Sequence, residues 1–340
     1  MPPGELGLQG IAELAAGYQR AQVLFTANGI GLFQALAAGP KTAEQIGQAL
    51  KLPLRGLAPL LDACVALKLV RRSEKGYQNT LTARLFLVPG KEVSFGPVLR
   101  FWQRFSYGVW GRLEEAVRSG EPQTATGPKS KDLFEQLVNE PEQVRLFFDG
   151  LAGLAYWPAQ KIAEIVAFDR HRHLLDVGCG SGAFSAAIAR RHPHLRVTLF
   201  DLEPVCALAH ERFAALGMED RVQIVAGDFH RDPLPEGADC VLVSNVLHDW
   251  PAEACRSLLA KAYRALPSGG EVLVYEVTAA GDRPPADVSQ FGLALLLDTN
   301  QGRVYGVDEL HCWFADAGFR SVQDHPVTEG TVLLRATKEA

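Results

Sequence analysis

The segment VLVSNVLHDW ends in His248, Asp249 and Trp250, and the segment EVLVYE ends in Glu276. A histidine exchanges a proton near neutral pH, and a carboxylate beside it can orient the ring and stabilise its charged form. His248, Asp249 and Glu276, each at the end of an apolar run, are therefore candidate residues for proton-transfer chemistry. The structural alternatives are a histidine that caps a strand end and a carboxylate left at the surface. A second group serves a different purpose. LLDVGCGSG at 174–182 gathers Asp176, Gly178, Gly180 and Gly182 after an apolar run, while Asp201 with Leu202, and Asp228 with Phe229, follow two others. Glycines at such a turn let the backbone close on a ligand, and acids at neighbouring strand ends can accept from hydroxyl and amino groups.

These groups meet only if the runs before them are neighbouring strands of one sheet. LLDV, RVTLF, RVQIVAG, ADCVLVSNV and EVLVYEV alternate with helical stretches such as SGAFSAAIARR and AEACRSLLAKAYRAL, the pattern of a buried parallel sheet with crossover helices. The expected fold class is α/β, a Rossmann-like, doubly wound, mostly parallel seven-stranded sheet. RSVQDHPV and TVLLRATK are separated only by Glu329 and Gly330, too short a link for a crossover, and are expected to pair as an antiparallel hairpin at one sheet edge. Ligands of such sheets lie beyond the carboxyl ends of the strands, where the residues above fall.

At 340 residues the chain exceeds one ordinary core and suggests two domains. Residues 1–100 read as mainly helical. Ile11, Leu14, Ala15 and Tyr18 recur at helical spacing, Thr42 with Gln45 forms a capping box, Leu57, Leu60, Leu61 and Cys64 share a helix face, and VRRSEKGYQNT reads as a hairpin turning near Gly76. Helix, helix, hairpin is a winged-helix arrangement and raises a ligand-sensing DNA-binding regulator as a function class. The candidate recognition helix LRGLAPLLDACVAL offers only Arg55 as a cation and carries Asp62, and the net charge is −5. No nucleic-acid footprint exists, so the winged helix is expected to serve dimerisation. Residues 101–340 then form the catalytic domain, with 101–170 as its helical, substrate-pocket part and 171–340 as its Rossmann-like core. Phe101, Phe105, Tyr107, Phe148, Tyr156 and Trp157 are the candidate pocket residues, against the alternative that they are core.

The six cysteines form no CxxC pair, and the N-terminus MPPGELGLQG has neither a basic segment nor an apolar one. A cytoplasmic protein with reduced thiols and no membrane segment is expected. His171/His173 and His192/His194 lack Cys or carboxylate partners at ligand spacing, so no metal is expected.

The glycine turn alone admits two ligands. GCGSGA, with Ala183 in the last small position and Asp201 downstream, satisfies the dinucleotide pattern of a nicotinamide-dependent oxidoreductase. Two features favour S-adenosylmethionine. Asp176 in the approach to the turn would repel a pyrophosphate but suits an α-amino group, reached through water or backbone, and Asp228 with Phe229 supplies an acceptor and a ring for adenine.

With LLDVGCGSG, GDF, LHDW and PSGGEVLVYE in this order, the chain resembles the class I S-adenosylmethionine-dependent methyltransferases. Within them it resembles the two-domain small-molecule O-methyltransferases of the caffeate and hydroxyindole type. The resemblance spans nearly the whole chain. It implies that Gly178, Gly180 and Gly182 line the methionyl end, that Asp201 binds ribose, and that Asp228 and Phe229 hold adenine with Trp250 covering it. Asp176, Leu202 and Ser244 complete the cofactor set, and a homodimer forms through the N-terminal domain. His248 matches the family's general base. Two acids bracket that histidine in the family: Glu276 matches the first, but a GRERT-like segment reads GRVYG here, with Val304 for the glutamate and Tyr305 for the arginine. A phenol near pKa ~10 facing a histidine near ~6.5 would make full proton transfer uphill by roughly 5 kcal/mol, so the loss of one acid suggests an activated phenol, an enol or a carbon nucleophile. Asp249 or Tyr305 is expected to contact the acceptor. The expected reaction is methyl transfer to a phenolic or enolic hydroxyl of a small molecule, with C-methylation of an activated aromatic or α-keto carbon as the alternative.

Overall fold

The computed structural model describes residues 6–90, 93–123, 140–279 and 285–339. The chain divides into two units, Met1–Arg104 and Phe105–Ala340.

The first unit is helical apart from one hairpin. Thr42 accepts from the Gln45 backbone N–H, and Gln45 Oε1 accepts from that of Thr42, closing the capping box that opens helix Ala43–Leu50. Helix Leu54–Ala66 buries Leu57, Leu61 and Cys64, with Leu60 half-buried. Strands β1 (Val70–Ser73) and β2 (Gly76–Asn79) pair antiparallel. The opening helix, Leu8–Ala15, buries none of its residues within the chain. Leu8 is 85% exposed and Leu14 69%, with Leu6, Ile11 and Tyr18 also exposed. An apolar stripe of that kind is ordinarily covered by something else.

The second unit is built on one sheet. Strands β3 (His173–Val177), β4 (Arg196–Asp201), β5 (Val222–Ala226), β6 (Cys240–Ser244) and β7 (Glu271–Ala279) are parallel, in the order β5-β4-β3-β6-β7. The order reverses at β3, the switch point at which such sheets open a crevice. A two-residue strand β8 (Tyr305–Gly306) extends β7. The expected hairpin is present: β9 (Arg320–Thr328) and β10 (Thr331–Thr337) pair antiparallel, β10 against β7 and β9 at the edge.

Strand periodicity divides the core into two layers. Leu174, Leu242, Leu273 and Leu333 face Ile162 and Ala163 of helix Pro141–Ile165 and Phe184 and Ile188 of helix Ala183–Arg191. The alternating residues Leu175, Val243, Val274 and Leu334 face Leu258 and Leu259 of helix Ala252–Ala265 and Trp313 and Phe314 of helix Val307–Ala317. Both faces are covered, which is why these strands read as continuous apolar runs. The histidine pairs serve the loops around this core, His194 Nε2 lying 3.2 Å from the Phe168 carbonyl and His192 Nε2 3.1 Å from that of Ala163.

The turn between β3 and helix Ala183–Arg191 needs its glycines. Gly182 has φ +71°, and a Cβ there would lie 2.9 Å from the Phe213 ring. Gly182→Ala combines a left-handed backbone with overpacking and should lower stability by about 2 kcal/mol or more. Urea unfolding of the variant against the parent measures this.

Candidate active site

The carboxyl ends of β6 and β7 hold a connected set of polar contacts. Glu276, on β7, is 2% exposed. Its Oε1 accepts from the backbone N–H of Val246 at 2.9 Å and of Leu247 at 2.7 Å, and its Oε2 lies 2.5 Å from Nδ1 of His248. A carboxylate accepts only, so Nδ1 carries the hydrogen and Nε2 is left as the basic nitrogen of the neutral ring. Nε2 makes no hydrogen bond among the described residues; the Asp249 Oδ1 stands 3.7 Å away. Phe291, from helix Ala286–Asp298, packs edge-on against the imidazole with ring centres 4.9 Å apart. Burial alone would pull the His248 pKa down. The charges of Glu276 and Asp249, with the Glu276 hydrogen bond, outweigh it and push the value up to about 9.

The segment carrying His248 is also held from below. Tyr305 donates its hydroxyl to the Trp250 carbonyl at 2.5 Å, the Arg303 N–H donates to the His248 carbonyl at 2.8 Å, and Cys255 Sγ reaches the Leu247 carbonyl at 3.2 Å. Tyr305 is 3% exposed and packs on Trp313. The structure thus places it in the core as a support of LHDW and not on an acceptor pocket, because its hydroxyl is spent on a backbone carbonyl. Val304 lies against helix Ala286–Asp298, its Cγ2 3.9 Å from where a Cβ on Gly292 would be. Asp298 closes that helix, and burial, then the nearby Asp249 carboxylate, push its carboxyl up to about 7. No local pattern singles out Asp298 or Phe291, since both lie in a helix whose orientation to LHDW is set by packing.

The glycine turn sits at the ends of β3 and β4. Gly178, Gly180 and Gly182 all have positive φ, and a Cβ on Gly180 would stand 3.0 Å from the Phe148 ring. Asp201 lies under the turn, its Oδ2 accepting from the Gly180 N–H and its Oδ1 from the Leu202 N–H, each at 2.7 Å. Burial pushes its pKa up to about 6, against the lowering effect of those two N–H groups. Asp176 has no exposed surface. Its Oδ2 accepts from Ser185 Oγ at 2.6 Å, while its Oδ1 has no partner among the described residues. Burial is the first cause that pushes its carboxyl up to about 7. Asp176 is thus tied to helix Ala183–Arg191 beneath the turn, whereas the Leu202 side chain is 41% exposed.

A ring cluster stands after β5. His230 lies 4.3 Å from Phe229 and 4.2 Å from Trp250, centre to centre. Lys261 Nζ ties this loop to helix Ala252–Ala265 by donating to the carbonyls of Phe229 and Asp232 at 2.7 Å. Asp228 folds its own turn, with Oδ1 accepting from the His230 N–H at 2.9 Å. Ser244 is buried at the end of β6. The sequence pointed to Phe229 and Trp250 and passed over His230, although it directly follows Phe229.

Of the remaining pocket candidates, Phe101 lies in the first unit and the others in the second. Phe105 and Phe148 are linked through Phe147, at ring distances of 5.7 and 5.3 Å, and the short helix of Tyr107 packs on helix Ala286–Asp298. Tyr156 stacks edge-on with Trp157, which is 61% exposed.

These residues fit S-adenosylmethionine. A pair of carboxylate oxygens at a strand end, a turn without side chains and an aromatic trough match a ribose, an amino-acid chain and a purine. The chain's relatives agree. Residues 110–320 match the O-methyltransferase domain family, and residues 12–89 match the O-methyltransferase dimerisation domain. The chain is 39% identical to 3-hydroxy-5-methyl-1-naphthoate 3-O-methyltransferase of Streptomyces sahachiroi, over 95% of this chain and 92% of that one. It is 32% identical to the N,N-dimethyltransferase OxyT of Streptomyces rimosus, over 96% of each. The crystal structure of human N-acetylserotonin methyltransferase in complex with S-adenosylmethionine superposes with a TM-score of 0.91 at 28% identity, covering 100% of both chains. The chain belongs to the S-adenosylmethionine-dependent small-molecule O-methyltransferases of the caffeate and hydroxyindole type, and is an O-methyltransferase.

Proposed function

We propose that this enzyme methylates a hydroxyl of an aromatic or enolic small molecule and that His248 removes the hydroxyl proton. The contact that carries this reading is the 2.5 Å pairing of His248 Nδ1 with Glu276, which leaves Nε2 as the free basic nitrogen. The relative that acts on a hydroxynaphthoate supports a fused aromatic acceptor. S-adenosylmethionine supplies a methyl group already activated on a sulfonium. The protein's own tasks are then to hold and align the partners and to take one proton. Gly178, Gly180, Gly182 and Asp201 would hold the methionyl and ribose parts, and Asp228, Phe229 and Trp250 the adenine, with His230 part of the same ring cluster. Phe148 at the glycine turn and Phe291 on His248 flank the acceptor.

The raised basicity of His248 serves the proton transfer. Against a phenol near pKa ~10, a base near 9 leaves about 1.4 kcal/mol uphill, where an ordinary imidazole would leave roughly 5 kcal/mol. One orienting carboxylate and Asp249 therefore suffice where the family's second glutamate is replaced by Val304. The same elevation means that His248 is mostly charged at neutral pH, and only its neutral form accepts a proton. With a phenolic acceptor, kcat/KM should climb with pH up to about 9. Glu276→Gln removes the anion, so it should move this limb to lower pH and slow turnover by about 10²–10⁴-fold. A limb near 6.5 in the parent, or one unmoved in the variant, would sink the assignment of His248.

Asp201→Ala should weaken S-adenosylhomocysteine binding at least about tenfold in calorimetry, because ribose hydroxyls bonded to a carboxylate are worth ~1.5–3 kcal/mol each. NAD(H) binding with no response to the adenosyl thioether would contradict the cofactor residues named here.

The reading includes a cytoplasmic homodimer formed through the first unit. The matched dimerisation domain and the uncovered stripe of Leu8, Ile11 and Leu14 support it. Leu8→Glu with Leu14→Glu should convert a dimer to a monomer in sedimentation, and a parent that sediments as a monomer would refute it.

A further inference from the structure

The end of the sheet opposite the active site carries a second polar cavity. It has a volume of about 260 Å³ and opens among Arg170, the starts of β7 and β9 and the end of β10. Glu271, on β7, forms its floor and is 9% exposed. That carboxylate is already neutralised, with Arg335 Nη2 2.6 Å from its Oε1 and His171 Nε2 2.9 Å from its Oε2. Arg170 and Arg320 stand in the wall, and neither guanidinium group has a hydrogen bond or ion pair among the described residues. Among the described residues of the wall, the remaining charge is Glu339. Two uncommitted guanidinium groups thus share a cavity with a third whose counter-charge is spent below them.

The backbone is shaped to bring them there. Arg335 pairs with Gln323 but Thr337 with Arg320, so Ser321 and Val322 stand opposite Ala336 alone. This bulge holds Ser321 at φ +53°, a left-handed conformation unusual for a residue other than glycine. Bulges of this kind re-aim side chains and gather near binding sites, and here both Arg320 and Ser321 line the cavity.

We propose that this cavity binds a compact multivalent oxyanion, a phosphate or polycarboxylate, bridged between Arg170 and Arg320 over the Arg335–Glu271 pair. Guanidinium forks match the paired oxygens of both groups. Among the described residues no aromatic side chain lines the wall to offer a nucleobase platform, and the volume falls below the ~300–1,000 Å³ typical of larger ligands. Glu271 and Glu276 lie five residues apart on β7, about 17 Å along the strand. The site is therefore separate from the methyl-transfer centre.

Calorimetric titration of the full chain, saturated with S-adenosylhomocysteine and held at constant ionic strength, tests this with sodium pyrophosphate in one arm and citrate in the other. Saturable binding of one anion per protomer is expected in at least one arm, and the tighter arm identifies phosphate or carboxylate as the preferred group. Arg170→Gln with Arg320→Gln should weaken it tenfold or more and leave S-adenosylhomocysteine affinity within twofold, since both side chains are exposed and outside the catalytic set. Glu339→Gln should strengthen it. Heats no larger than a chloride blank in both arms, equal affinity in the double variant, or displacement of the anion by S-adenosylhomocysteine would each overturn the proposal.

Discussion

One buried carboxylate organises the active site. Glu276 meets two backbone N–H groups and the ring of His248 with its two oxygens. Removing a carboxylate from water costs several kcal/mol unless its lone pairs are met, and here each hydrogen bond also does positional work. The two backbone contacts fix the turn after β6 against the end of β7, and the third sets the ring's tautomer and raises its basicity. Without them the HDW segment would be held only from below, by Tyr305, Arg303 and Cys255.

The support beneath that segment accounts for the departure at Val304 and Tyr305. Tyr305 holds the Trp250 carbonyl, and the neighbouring Arg303 N–H holds that of His248, so GRVYG contributes scaffold to LHDW. On the proposed reading, the electrostatic part falls to Glu276 and Asp249. Asp298 adds an acid near Asp249, and burial with the Asp249 charge pushes its carboxyl up to about 7, so that it is part-protonated near neutral pH.

The parallel strands give the molecule two chemically different ends. At their carboxyl ends, the reversal of strand order at β3 opens the crevice where the glycine turn, Asp201 and His248 gather. At the other end, ion pairs and hydrogen bonds around Glu271 tie β7 to β10 and to the loop before β3. Both ends depend on the same two apolar layers, so the chemistry at each is positioned by strands whose apolar side chains are spent on packing.

Much of this was written locally. Strand runs, the glycine turn, the capping box at Thr42 and the edge hairpin each rest on neighbours within a few residues, so the sequence determined the fold class and marked Asp201, His248 and Glu276 as strand-end residues. Tertiary structure alone decided what those residues touch. Glu276 is separated by 28 residues from His248, Tyr305 by 55 from the carbonyl it holds, and Phe291 reaches the base from a helix with no motif of its own. The same holds for Asp176, buried beneath the turn on Ser185, and for Tyr305, buried with its hydroxyl on the Trp250 carbonyl. Sequence periodicity reports which face of an element is apolar, but contact between distant elements depends on how whole layers pack, and that information resides in no single segment.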